Sequence, residues 1–137
     1  MKLLLFLLLF SKANDNVTMG ISCSNIPNDC KLLYFAMTIK ESGWHKNKKA
    51  VKCNNYAGFK RNNRLIKFKS IYHFTQFSEK WFTRNNIKTE KDLIKLLKSG
   101  KYANQNKKRL EIYVKSLLQI KKSIKQYYNN LDSETII

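Results

Sequence analysis

Glu41 is the side chain whose type and position best suit it to chemistry. It closes an apolar-striped helical stretch and stands three residues before Trp44. Partial negative charge gathers at a helix C-terminus, and a covering indole would strip water from a carboxylate; both favour the protonated carboxyl. The high positive charge of the chain opposes this, so the outcome rests on whether Trp44 covers Glu41. A carboxylic acid held neutral near neutral pH is a usable general acid. A solvated glutamate at a helix end is the competing reading. No partner carboxylate lies nearby in sequence, because residues 42–78 hold no Asp or Glu and nine Lys or Arg. Glu79 is the next acid and is expected to face solvent from a helix. Cys23, Cys30 and Cys53 with His45 lack the paired short spacing of a zinc site, so no metal and no cofactor are expected. Cys23 and Cys30 flank a loop with Pro27 and could close it, one of three possible pairings. The plainer reading is three small, partly buried side chains.

The elements that position Glu41 are mostly helical. Over residues 31–41, Leu32, Phe35, Ala36 and Ile39 form the i, i+3, i+4, i+7 stripe. Asn28 or Asp29 can cap its start, and Ser42-Gly43 ends it. A second amphipathic stretch over 72–84 carries Phe74, Phe77, Trp81 and Phe82. Thr89-Glu90-Lys91-Asp92 reads as a capped, acidic first turn, followed by Leu93, Ile94, Leu96 and Leu97 and stopped by Gly100. A long helix over 106–128 is carried by Leu110, Tyr113, Val114, Leu117, Ile120 and Ile124, with a Lys-rich outer face. Residues 52–69 are different. Asn54-Asn55, Gly58 and Asn62-Asn63 are turn formers, and residues 59–61 and 65–68 could pair as a hairpin around Asn62-Asn63. The expected architecture is a helical domain with one small turn-rich lobe.

Global numbers bound the function. A chain of 137 residues suits one domain that needs no staple to fold. A hydrophobic content of 43% argues against a disordered chain. Four Gly and one Pro exclude collagen-like and Pro-rich classes, and no repeat of 20–50 residues points to a solenoid. There is no Gly-rich phosphate loop. The net charge of +18 favours anionic partners: nucleic acid, acidic lipid or the acidic polymers of a cell wall. Residues 1–13 read as an export signal, with Lys2, an apolar run from Leu3 to Phe10 and a small-x-small site at Ser11-Lys12-Ala13. That run is too short to span a membrane, which needs about 20 residues. A buried first helix is the other reading of the same segment.

Glu41-Ser42-Gly43-Trp44, after Ala36-Met37-Thr38-Ile39-Lys40, resembles the active-site helix of the mannosyl-glycoprotein endo-beta-N-acetylglucosaminidase-like family. This is the glucosaminidase group of flagellar and autolysin muramidases within the lysozyme superfamily. Asn54-Asn55-Tyr56-Ala57-Gly58-Phe59-Lys60 is similar to the family's Asn-Asn-aromatic-x-Gly-aromatic-Lys segment. Phe68-Lys69-Ser70-Ile71 resembles its entry to the next helix, and Gly100-Lys101-Tyr102-Ala103 its late Tyr-Ala motif. The likeness covers about residues 20–120, in order.

The resemblance implies a mainly α, α+β lysozyme-like fold, with the hairpin lobe over the catalytic helix. It implies a signal peptide at 1–13, a glucosaminidase-like domain at 14–130 and a frayed tail at 131–137. Glu41 would protonate the glycosidic oxygen. Tyr102 matches the family's cleft tyrosine, and Trp44 would pack under the cleft or stack on a sugar. Asn54, Asn55, Tyr56 and Phe59 would form the sugar-binding floor, while Gly58 serves a turn or close approach. The expected function is an exported hydrolase of peptidoglycan or a related GlcNAc-containing polymer, secreted, periplasmic or wall-bound, and monomeric. The family often supplies a second carboxylate from the lobe, and this chain has none there. Paired carboxylates stand about 5–9.5 Å apart in two-carboxylate enzymes. The openings left are assistance by the substrate's acetamido group, attack by the sugar 6-hydroxyl as in lytic transglycosylases, or an inactive binding module. A nucleic-acid module stacking bases on Tyr56, Phe59, Tyr72 and Trp81 is the alternative from another class. A membrane-active toxin using the basic long helix is the third.

Overall fold

The structure, a computed structural model, describes residues 14–134. The expected export signal at 1–13 lies outside the described residues. The described residues form six helices and one hairpin: α1 (Asp15–Cys23), α2 (Asn28–Ser42), α3 (Lys48–Cys53), β1 (Lys60–Arg61), β2 (Arg64–Leu65), α4 (Ile71–Arg84), α5 (Glu90–Lys98) and α6 (Lys107–Glu134). It is mainly helical, with a two-stranded antiparallel sheet. Among the described residues no helix is long and apolar enough to cross a membrane.

α2 is the axis of the molecule. Leu33, Tyr34, Phe35, Ala36, Met37, Thr38 and Ile39 are all buried, so the helix is wrapped on every side rather than along one stripe. α1, α5 and α6 pack on it, and α4 packs on α1. Leu32, expected on the apolar stripe, is only half-buried. A helix apolar all round has no single inward face, so the stripe understated its burial. Tyr34 bridges to α4 through its hydroxyl, 2.5 Å from Ser78 Oγ, and meets Phe82 edge-on. Burial pushes that phenol above its ordinary pKa.

The expected caps are partly redistributed. α2 begins at Asn28, three residues earlier than expected, with Pro27 as its N-cap and no side-chain capping bond. Asp29 instead accepts from the Glu90 backbone N–H at 2.8 Å, serving the start of α5. Thr89 and Asp92 form the expected capping box there. α1 and α3 were not legible as helices. Each is short and starts on an asparagine, Asn14 and Asn47, whose carboxamide oxygen accepts backbone N–H groups. The hairpin pairs Lys60 with Leu65 and Arg61 with Arg64, and Ile66 N–H reaches Phe59 C=O at 2.9 Å. α6 continues to Glu134, past the expected frayed boundary at 131, because residues 129–134 contain no Gly or Pro to stop it. All three cysteines are free: Cys23 is exposed, Cys30 buried and Cys53 half-buried. Burial, and then the charges of Asp29, Asp92 and Glu90, push the Cys30 thiol up to about 11.

α2 ends in an unusual turn. Gly43, Trp44 and His45 all have positive φ, at 54°, 61° and 63°. Two consecutive non-glycine residues in this region cost about 1–2 kcal/mol each. A buried polar network compensates. His45 Nδ1 accepts from the Asn14 backbone N–H at 3.1 Å, which leaves the proton on Nε2. Nε2 lies 2.8 Å from Thr38 Oγ1, and that hydroxyl donates to Phe35 C=O at 2.7 Å. Ser42 Oγ donates to Thr38 C=O and accepts the His45 backbone N–H. The ring is 3% exposed, between Phe35 and Tyr56.

Burial pushes His45 down to about 4, from an ordinary value of 6.5. The neutral ring is therefore favoured in the fold, and the stability it contributes is present above about 6.5 and lost as pH falls toward 4. The expected loss is on the order of 3 kcal/mol. Urea unfolding between pH 7.5 and 4 should show it, with a shallower fall in His45→Gln. Parallel curves for the two proteins would remove His45 as the cause.

Candidate active site around Glu41

The turn after α2 directs successive side chains to opposite sides. His45 goes inside, while Glu41 is exposed and Trp44 is 38% exposed. Trp44 therefore does not cover the carboxylate, and the expected desolvation by the indole is corrected. The aromatic group that meets Glu41 is on α6. Tyr113 donates its hydroxyl proton to Glu41 Oε1 at 2.7 Å, across 72 residues of chain. The Lys40 ammonium sits 5.8 Å from the centroid of the same ring. Tyr113 was expected only as a member of the α6 core stripe. The lone signal that it could do more was its polar end, near the start of an otherwise aliphatic stripe.

The other side of the carboxyl is backbone. Gly58 has φ +70°, and a Cβ there would stand 3.0 Å from Glu41 Oε2. Glycine adopts that conformation without strain and leaves room for that approach. Tyr102 donates its hydroxyl to Ala57 C=O, which fixes the peptide bond leading into Gly58. Its ring packs against Trp81 and Tyr113, with centroids 5.8 and 6.4 Å away. Burial raises both tyrosine pKa values, and the Glu41 charge adds to the rise, so both phenols remain protonated donors. Tyr102 thus stands beside Glu41, acting through the Ala57–Gly58 peptide.

The Asn-Asn segment holds this arrangement from beneath. Asn54 caps α3 in the left-handed conformation and donates to Phe68 C=O at 3.1 Å. Asn55 is 1% exposed; its Nδ2 donates to Phe59 C=O and Ile66 C=O, and its Oδ1 accepts from Phe59 N–H. Tyr56 is buried between His45 and Phe74, and Phe59 is buried against Phe74, Phe77 and Trp81. Asn55, Tyr56 and Phe59, expected to touch sugar, are instead buried, with the Asn55 carboxamide bonded to backbone and the two rings packed on other aromatic side chains. They build the wall that carries Gly58. Burial of Tyr56 and Phe59 likewise removes two of the four expected base-stacking platforms.

Among the described residues no hydrogen bond joins a second carboxylate to Glu41. Glu79 is half-buried rather than free in solvent, since it accepts from the Asn25 backbone N–H at 2.9 Å. Glu90 pairs with Lys121 at 2.5 Å. No group of three or more His, Cys, Asp or Glu among the described residues could hold a metal ion. A pocket of about 550 Å³ opens at the hairpin, lined by Arg61, Asn62, Arg64, Leu65 and Ile66. Another of about 370 Å³ is lined by Asn25, Glu79, Lys80, Thr83 and Arg84. Glu41 lines neither, and lies on an open face.

Gly58→Ala should destabilise the protein by about 1–2 kcal/mol through the backbone penalty alone, and further through the clash with Oε2. Glu41→Ala in the same chain should return the second part and leave the first. A double-mutant cycle by urea unfolding measures this; full additivity would mean that the two groups do not press on each other. No protein-family model, no curated protein and no solved structure matches the chain.

Proposed function

We propose that the protein is an exported glycan-strand hydrolase of the endo-β-N-acetylglucosaminidase type, lysozyme-like in fold, acting on peptidoglycan or a related GlcNAc-containing polymer, with Glu41 as general acid. The observation that carries this reading is the position of the Glu41 carboxyl between Gly58 and the Tyr113 hydroxyl. Oε1 accepts from Tyr113, so Oε2 is the oxygen left to hold a transferable proton. Tyr113 fixes the carboxyl rotamer at both protonation states, since a phenol kept protonated donates to either. Tyr102 acts as a positioning residue, by holding the peptide that Oε2 faces. Trp44, half-exposed one turn away, offers a face for a sugar ring. Asn54 supports the loop at its base.

One observation favours a second reading within the same chemistry. The lobe has no acid, so nothing in residues 42–78 can activate a water molecule or act as a carboxylate nucleophile. A single acid suffices where the nucleophile comes from the substrate, either its acetamido oxygen or its 6-hydroxyl. The first ends in hydrolysis with retention, the second in an anhydro-sugar. A wall-binding protein without turnover is the remaining alternative.

Purified cell wall incubated with the full chain should release soluble glycan fragments. Glu41→Gln should fold, bind wall and release none. Tyr113→Phe should keep the fold and lose roughly tenfold in rate, the worth of one hydrogen bond to a charged group. Mass spectrometry of the fragments then separates reducing ends from anhydro ends. Undiminished release by Glu41→Gln would take the acid out of the mechanism.

A further inference from the structure

The hairpin holds a second feature that the Glu41 chemistry does not use. Arg61 stands directly opposite Arg64 in the β1–β2 ladder. Like charges facing each other across strands destabilise a sheet. The turn between them is tight, with Asn62 and Asn63 both left-handed at φ 52° and 59°, and this fixes the register. The two guanidiniums are therefore held on one short ribbon instead of being free to splay. Both residues are exposed, and neither forms an ion pair among the described residues. No acid exists between residues 42 and 78 to neutralise them. Stability gives no reason for the pair, which costs the hairpin energy.

The pocket between them explains it. About 550 Å³ is lined by Arg61, Asn62, Arg64, Leu65 and Ile66, so two arginines and two half-buried aliphatic residues share one pocket. A planar guanidinium fork matches a carboxylate through two parallel hydrogen bonds. The wall of Leu65 and Ile66 suits a carboxylate on an aliphatic or peptide stem better than a phosphodiester chain, which has little apolar surface to cover it. The pocket is near the acid along the chain, though Glu41 does not line it. Gly58 touches Glu41, and Arg61 follows three residues later, roughly 10 Å of extended chain.

We infer that the Arg61–Arg64 pocket binds a carboxylate borne on a peptide stem of the glycan strand whose sugar backbone is seated at Glu41. The inference rests on the glycan reading of Glu41 and specifies its substrate: an acid-substituted strand in preference to a neutral one. The arginines would set register, placing one stem-bearing sugar at a fixed distance from the scissile bond.

The test uses the full chain carrying Glu41→Gln, so that nothing is turned over. Affinity is measured for a disaccharide–peptide wall fragment with free carboxylates, the same fragment with its carboxyls amidated, a neutral GlcNAc oligomer, the free stem peptide and a single-stranded DNA of similar length. Adding Arg61→Gln and Arg64→Gln should weaken binding of the acidic fragment and of the free peptide by roughly tenfold or more. The amidated fragment and the oligomer should change by less than about twofold. Lysines at both positions should restore only part of the loss, because they keep charge and lose the fork. Unchanged affinity for the acidic fragment, equal losses for charged and neutral ligands, or a larger loss for DNA would each overturn the inference. Failure of the GlcNAc oligomer to bind at all would instead count against the glycan reading, while the free peptide still reports on the arginines. Thermal unfolding of each variant checks that the exposed substitutions leave the fold intact.

Discussion

A three-residue left-handed turn, held by one buried neutral imidazole, sets the geometry on which the rest of the Glu41 region depends. α2 ends at Ser42, and the chain then leaves it through three successive left-handed residues. Gly43 accommodates the turn without strain, but Trp44 and His45 do not. His45 is retained in that conformation because its ring bonds on both nitrogens, to Asn14 N–H and Thr38 Oγ1, and stacks edge-on to Phe35 and Tyr56. The same ring therefore ties together α1's start, the middle of α2 and the Asn-Asn loop. Strain of this kind persists where the surroundings over-determine it, and it clusters at functional sites.

From that turn the loop arrives under Glu41 from the opposite direction. Asn47 starts α3, Asn54 ends it left-handed, and Asn55 laces the backbone at Phe59 and Ile66. Each asparagine is used for what its short carboxamide does best, satisfying backbone groups where regular pairing stops. The result is a glycine backbone against one carboxylate oxygen and a phenol against the other, with Tyr102 anchoring the loop from α6's side. None of these contacts is strong alone. Together they leave the Glu41 carboxyl one orientation on an otherwise open surface.

The parts of this arrangement that were legible in the sequence are those written locally. Gly43, Gly100, Thr89 with Asp92, and Asn62-Asn63 mark helix ends and a turn through interactions within four residues, and they stand where expected. What was missed depends on residues far apart. The Tyr113–Glu41 bond joins positions separated by 72 residues, and an aliphatic stripe on α6 hides a phenol that reaches past it. His45 was weighed only as a metal ligand, because nothing adjacent reveals that Thr38 and Asn14 await it. Asn55, Tyr56 and Phe59 carried a pattern that suggested ligand contact, whereas the pattern reflects a wall built to present Gly58. α3 escaped notice because six residues leave too little periodicity to separate from a loop, and α1 because Val17, Thr18, Gly20 and Ile21 are weak helix formers.

The exposure of Glu41 changes where the work of catalysis would have to come from, should it be the acid. In a site already dry, protein groups raise the proton-donating power of a carboxyl before substrate arrives. Here the carboxyl is open to water, and Trp44 lies beside it without covering it. The missing desolvation must then be supplied by the bound strand, whose sugar faces would close over Glu41 and against the indole. Short fragments cannot do this as well as long ones, since remote binding contacts provide the energy that displaces water at the reacting bond. The charge distribution fits that requirement. Under the proposed reading, the nine cations of residues 42–78, with no anion among them, would attract an acidic polymer from a distance and hold it across the site. On the proposed function, charge that contributes nothing to the hairpin's own stability would serve to assemble, on the substrate, the dry environment that the free protein lacks.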